Sequence, residues 1–372
     1  MTRRIHLITI CAFIFNIQLL TADQCGSSWL STPSNQPCMV SCNSTWCPPA
    51  NTPRDSSSPC DFGCARQCGF NAGADVLYWT VCQSDLDFAA DSTTTDDPPD
   101  LLGLGDTHFL DYDWCPGVRG YFGIEILGVG LTGGYTWIKN KATGYKDYTN
   151  VDAVLVASLL HPNTGLADAT IADGVLDSWY QDAELVFSKE VEFCDDKLIL
   201  RPFIGARWVK IKQDLEVTYE GGDFVDNAEQ VRWDSTVSGY GAHAGFELFY
   251  RWVCGIGMYG KVAGSIIGAD TDIEHLQVSL DSTGNDLIPP TIQITEHQHV
   301  CVPGYQVQAG FTWGYCCSDR YYFRFRLGYE FNQWLNIPEV RRYHFENVAV
   351  SDVATDGHFA LHGGTFGFDL RF

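Results

Sequence analysis

Apolar and polar side chains alternate at two-residue spacing through most of the chain beyond residue 70, most sharply towards the C-terminus. Phe372, Leu370, Phe368 and Phe366 share one face of an extended segment, and Arg371, Asp369, Gly367 and Thr365 share the other. From Tyr321 to Phe331, six aromatic or leucine side chains point one way, opposite Tyr322, Arg324, Arg326, Gly328 and Glu330. Such a period marks strands, because successive side chains of extended backbone leave opposite faces. The pattern recurs from Tyr240 to Arg251, where Phe246 and Leu248 oppose His243 and Glu247, and from Trp179 to Val191, where Leu185 and Phe187 oppose Asp182, Glu184 and Glu190. It appears again in Leu127–Trp137 and Pro303–Trp313, whereas the register of Asp75–Val81 is ambiguous.

A soluble sandwich also alternates, but it buries its aromatic face and wets the polar one. The aromatic load here, set against so many charges, fits strands with lipid on one side and a wet lumen on the other. About ten long strands are predicted near residues 70–84, 107–125, 127–142, 177–192, 197–219, 231–250, 253–270, 298–314, 319–336 and 356–372. Short connections near Leu127, Cys194–Asp196, Arg251–Trp252 and Cys316–Ser318 alternate with long ones at Asp85–Asp106, Thr143–Leu176, Glu220–Gln230, Thr271–His297 and Ile337–Thr355. Turns on one side and loops on the other are the pattern of an outer-membrane barrel. The predicted fold is therefore all-β, a closed antiparallel transmembrane β-barrel of about ten strands spanning 70–372.

The N-terminal stretch reads differently. Arg3 and Arg4 precede the mostly apolar run Ile5–Leu20, and Ala22 offers a small residue for cleavage, so 1–22 is predicted to be an export signal. Residues 23–69, rich in Cys, Pro, Ser and Asn, lack periodicity and cannot bury much core, so they are predicted to form a periplasmic segment held by covalent staples. The 15 cysteines fit an oxidising compartment, with 14 beyond the expected cleavage site. Cys25, Cys38, Cys42, Cys47, Cys60, Cys64 and Cys68 crowd the N-terminal segment, and Cys194, Cys254, Cys316 and Cys317 fall at the expected periplasmic turns. Disulfides could join segment to turns within one molecule or link copies and other envelope proteins. The formal charge of −23, with no basic stripe, disfavours nucleic acid as a partner.

The stretch Asp113-Trp114-Cys115-Pro116-Gly117-Val118-Arg119-Gly120 resembles the tryptophan–glycine–arginine motif of the Legionella-type major outer membrane proteins, a family with members in chlamydia-related bacteria. Leu200–Arg207 resembles the family's central strand, Gly239–Gly245 the strand after it, and Phe372 the terminal signal for barrel assembly. The resemblance runs from about Asn71 to Phe372 and implies a pore-forming outer-membrane β-barrel. The Cys-rich segment departs from the Legionella pattern and is closer to the disulfide-linked major outer membrane proteins of chlamydiae.

Arg119, Arg201, Arg207, Glu247, Arg251, Lys261, Arg324, Arg326 and Glu330 fall on the faces predicted to look inward, together with Glu184 and Glu190. Such charges would bias which solutes pass a pore, or would pair across the lumen and plug it. The function expected is that of an outer-membrane porin for small hydrophilic solutes and ions, with disulfide-supported envelope rigidity. The alternative is a sealed barrel that serves as a structural or adhesive envelope protein. No cofactor or metal is expected. Gly255–Gly260 matches a dinucleotide fingerprint without the βαβ context that would support it, and no nucleophile elbow or triad marks an enzyme.

Overall fold

In the computed structural model, which describes residues 68–92, 106–126, 129–149, 154–161, 168–193, 197–252, 255–318, 321–343, 351–352 and 357–372, ten long strands form the wall of a barrel. They are β1 (Cys68–Gln83), β2 (Cys115–Ile126), β3 (Val129–Asp147), β4 (Ile171–Lys189), β5 (Leu198–Gly221), β6 (Phe224–Arg251), β7 (Ile256–Leu280), β8 (Ile292–Ser318), β9 (Tyr321–Ile337) and β10 (Gly357–Arg371). Each pairs antiparallel with its neighbour in sequence, and β1 also pairs with β10, from Asn71↔Arg371 to Gln83↔Phe359. That last pairing closes the sheet, so no edge carries unpaired amides into lipid. The predicted closed, ten-stranded antiparallel barrel is thus observed. The segments 1–22 and 23–67 lie outside the described residues, as do Cys194 and Cys254 and the side chains of Cys68, Cys316 and Cys317.

The outward face carries a belt of exposed apolar side chains, including Val76, Phe122, Ile204, Ile266, Leu327 and Phe366. Tyr78, Trp137, Tyr240, Trp313 and Tyr321 lie towards its margins, where rings with one polar atom favour a membrane–water boundary. Ile204, 65% exposed, sits mid-belt on β5 between Pro202 and Ala206. Ile204→Arg is expected to cost about 2–4 kcal/mol in a bilayer, read as a shift in urea unfolding. An equal stability for variant and parent would remove Ile204 from the lipid face.

Four strands reach well past the belt. β5 to β8 run 24, 28, 25 and 27 residues, against the roughly 9–11 a tilted strand needs to cross hydrocarbon. The loop expected at Glu220–Gln230 is strand instead. β5 continues to a tight turn in which Gly221 and Gly222 both have positive φ, at 71° and 60°, a conformation open to glycine at little cost. Polarity inverts along these strands. Up to Trp208, β5 turns Ile204 outward and Arg201 and Arg207 inward; beyond it, Val209, Ile211, Leu215 and Val217 are buried inside while Lys212 and Glu216 face out. Above the membrane, water lies outside the wall and a core must lie inside it.

The connections on this far side fold into that core. Thr107–Phe109, Asp87–Ser92, Val154–Ala157 and Asp168–Ala169 form a four-stranded sheet. Its apolar side chains, Phe88, Leu155 and Ala157 among them, join Leu215, Val217, Tyr219, Val231, Trp233 and Ile273 of the wall in one cluster. The Tyr219 hydroxyl donates to the Phe88 carbonyl at 2.6 Å, which satisfies a polar atom within it.

Candidate functional site: the barrel lumen

Inward positions follow from strand parity, and they form a stack of layers. At the periplasmic mouth Arg371 of β10 reaches Glu190, at 3.4 Å, and Glu125 of β2, at 3.8 Å. Arg201 of β5 pairs with the same Glu190 and, at 3.4 Å, with its cross-strand neighbour Glu247. Deeper in, Asp369 of β10 accepts from Arg324 and Arg326 of β9, at 2.9 and 3.1 Å, and from Tyr121. Arg326 also reaches Asp75 of β1 at 2.8 Å.

The next layer joins Arg119 of β2 to Glu330 of β9 at 2.7 Å and to Asp75 at 3.4 Å. Glu330 is fully buried and takes further hydrogen bonds from the amides of Gln306, at 2.6 Å, and Asn332, at 2.7 Å. On the other side Glu184 lies 3.7 Å from Lys261 and 3.4 Å from His243, and Arg207 holds Asp182 through two contacts of 2.5 and 2.8 Å. Among these groups lies a cavity of about 100 Å³, bordered by Asp75, Arg119, Glu184, Lys261 and Arg326. That is room for only a few waters.

An apolar layer closes the stack on its outer side. Trp79, Tyr180, Trp334 and Phe359 are buried there with Leu77, Ile138, Val209, Ile211 and Ile267. Tyr180 of β4 and Trp334 of β9 come from walls five strands apart in a ten-stranded ring, yet their ring centroids are 6.5 Å apart. Phe359 stacks on Tyr180, also at 6.5 Å, and the Arg207 guanidinium lies 4.8 Å from the Trp334 ring centroid, capping the layer from the charged side. Beyond it the hydroxyl of Tyr112, from the first long connection, donates to Gln83 at 3.2 Å and bonds Ser178 at 2.9 Å.

Of the residues predicted to line the lumen, Arg119, Arg324, Arg326 and Glu330 enter one network, Arg201 and Glu247 pair at the mouth, and Lys261 and Arg207 occupy the middle. Arg251 stands apart, exposed at the end of β6. Side chains from facing walls meet in the ion-paired layers and in the aromatic layer, and the lining of the cavity runs from Asp75 and Arg119 down to Arg201, Glu247 and Arg371 at the mouth. Sequence reading put Asp182 on the polar face of its strand but missed Asp75, Tyr121 and the ring-bearing Trp79, Tyr180 and Trp334. Asp75 was concealed because Leu77 and Trp79 follow it on the same inward face, so its strand changes character midway. His297 and His299 lie on the outer wall opposite Asp272 and Asp270, away from the lumen. Gly255–Gly260 opens β7 and is wall.

In the outer chamber His275 of β7 is fully buried, with the Tyr343 ring 5.6 Å away and His161 on that ring's other contact at 4.6 Å. Burial, then the charge of Arg341, pushes His275 down to about 4. The folded chain thus holds His275 neutral where the unfolded chain, near its ordinary 6.5, takes up a proton. The stability this neutral form confers is present above about pH 6.5 and is lost as the pH falls from there towards about 4. Hydrogen-exchange protection of the outer ends of β6 to β8, corrected for the intrinsic pH dependence of exchange, is expected to be lower at about pH 5 than at about pH 7. His275→Phe should remove that difference; an unchanged pH response would show another group to be responsible.

A family model described as the Legionella pneumophila major outer membrane protein precursor matches residues 63–372. Among solved structures, the outer membrane protease OmpT from Escherichia coli aligns at 11% identity and a TM-score of 0.41, covering 82% of this chain and 97% of that one. A major outer membrane protein from Thermus thermophilus aligns at 10% identity and 0.26, covering 82% and 100%. The Pseudomonas putida toluene transporter TodX aligns at 8% and 0.26, covering 82% and 89%. No curated protein matches the chain.

Proposed function

Since this chain belongs to the family of the Legionella pneumophila major outer membrane protein, we propose that it is an outer-membrane porin whose lumen is closed at rest. It passes small hydrophilic solutes and ions by passive diffusion when that closure rearranges. The observation that carries this reading is the sharing of partners in the membrane-level lumen. Arg326 contacts both Asp75 and Asp369, and Arg119 contacts both Asp75 and Glu330. A buried charge left alone is very costly. A ladder in which each arginine holds two acids can exchange partners stepwise without stranding any of them, and the cavity beside it admits water. A barrel meant only to be solid could be filled with apolar side chains at less cost.

A second reading, a sealed envelope scaffold, is favoured by the Tyr180–Trp334 contact across the lumen. Under either reading the membrane lipid is a partner, no cofactor takes part, and disulfides from the Cys-rich segment stiffen the envelope within or between molecules. Two measurements test the porin reading. Vesicles carrying the refolded barrel should leak ions and small sugars but retain larger ones. Replacing Arg324 and Arg326 with Ser should shift the reversal potential towards cation selectivity, since Asp75 and Asp369 then face the lumen unpaired. Leakage no greater than that of empty vesicles would leave the sealed scaffold.

A further inference from the structure

The outer wall carries a basic cluster at one place only along the upper margin of the belt, among the described residues. The chain has eight lysines. Four of them, Lys139 and Lys141 on β3 and Lys210 and Lys212 on β5, flank a single strand, β4. Cross-strand pairing puts Lys139, Trp179 and Lys212 in one row and Gln181 and Lys210 in the row below, with Lys141 diagonal to Trp179. Each lysine pair starts two residues after a belt aromatic, Trp137 on β3 and Trp208 on β5. The cluster therefore stands where hydrocarbon gives way to headgroups on the loop side, which is the outer leaflet.

Its geometry suits an anion. The Lys139 and Lys212 ammonium groups lie 4.6 and 4.9 Å from the Trp179 ring centroid, so one ring attracts two cations from the strands to either side of it. Asp177 and Asp214 take one contact each, at 3.2 and 2.6 Å, and Asp234, across from Asp214, adds a third acid beside Lys212, which leaves the four lysines one positive charge in excess. That excess occurs on a chain of formal charge −23. Two strands round from Lys210, the same row carries Asp270, so the attraction is confined to one side.

We infer that this face binds the phosphorylated headgroup of an outer-leaflet glycolipid, whose phosphate sits over Trp179 between Lys139 and Lys212 while its acyl chains lie against the belt below. The placement at the headgroup boundary favours a lipid phosphate over a free one, and the inference holds whether or not the lumen conducts.

The test titrates the full refolded chain, in phosphocholine micelles, with lipid A bearing both phosphates and counts bound lipid by native mass spectrometry. Lipid A is expected to bind the parent and to bind K139Q/K212Q about tenfold or more weakly, given the attraction each lysine contributes at an anionic surface. K139R/K212R should bind as the parent does, and so should K189Q, which alters an outward lysine at the periplasmic end of β4. Phosphate-free lipid A should bind the parent poorly. The inference is overturned if K139Q/K141Q/K210Q/K212Q, migrating on gels as a folded barrel, binds lipid A as tightly as the parent. It is equally overturned if phosphate-free lipid A binds as well, or if inorganic phosphate displaces the lipid at concentrations comparable to its own.

Discussion

Glu330→Ala should destabilise the barrel by about 3–5 kcal/mol, because it strands a charge inside the wall. Glu330 is fully buried, and when the carboxylate is gone Arg119, now 2.7 Å from it, keeps the 3.4 Å contact to Asp75 as its one acid partner, beside a hydrogen bond to the Thr136 hydroxyl at 3.0 Å. The amides of Gln306 and Asn332 lose their acceptor at the same time, and a buried donor without a partner carries its own desolvation cost. Removing both charges as Arg119→Met/Glu330→Leu should therefore harm the fold less than Glu330→Ala alone. Reversible urea unfolding in bilayers reads both. A single variant as stable as the parent would mean that the pair is loosely hydrated rather than buried, and the ladder would then be an open wet surface.

Tyr180→Ala/Trp334→Ala should turn rare, small conductance steps into frequent and larger ones. These two rings, from walls five strands apart, meet across the lumen, and both are essentially without solvent exposure. Each truncation costs about 3–5 kcal/mol as a large side chain lost from a packed layer. The two costs should not add, since the rings touch. Arg207 also loses the ring it rests on, 4.8 Å away, and gains freedom to swing. Single-channel recording reads the effect. Unaltered conductance in a barrel that still folds would place the barrier elsewhere, in the loop sheet within the outer chamber.

The membrane half of the fold was legible because it presents extremes. Between Tyr321 and Phe331 one face meets lipid and the other meets charge, so alternation alone fixes which side is in. The strand count followed from about ten such segments and the sorting of turns from loops. The outer half was not legible for a definite reason. Beyond Trp208 on β5 the apolar face changes sides while the alternation continues unbroken, and a period of two is blind to which phase is inside. The same inversion hid the aromatic layer, since Trp79 and Trp334 read as lipid-facing aromatics until their parity is fixed by Asp75 and Glu330. Arg119, Arg324, Arg326 and Glu330 were identified one at a time. That Arg326 is shared between Asp75 and Asp369 depends on the closure of β10 onto β1, a contact some 300 residues apart in sequence, and no local pattern encodes it.

The most direct measurement of the account is the single-channel conductance of the unmodified chain, refolded and inserted in a planar bilayer. A porin closed at rest by ion pairs and an aromatic layer predicts brief, small, ohmic steps separated by long silent intervals. A bilayer that stays silent at every voltage, although heat-modifiable migration confirms an intact barrel, would contradict it and leave the sealed envelope scaffold in its place.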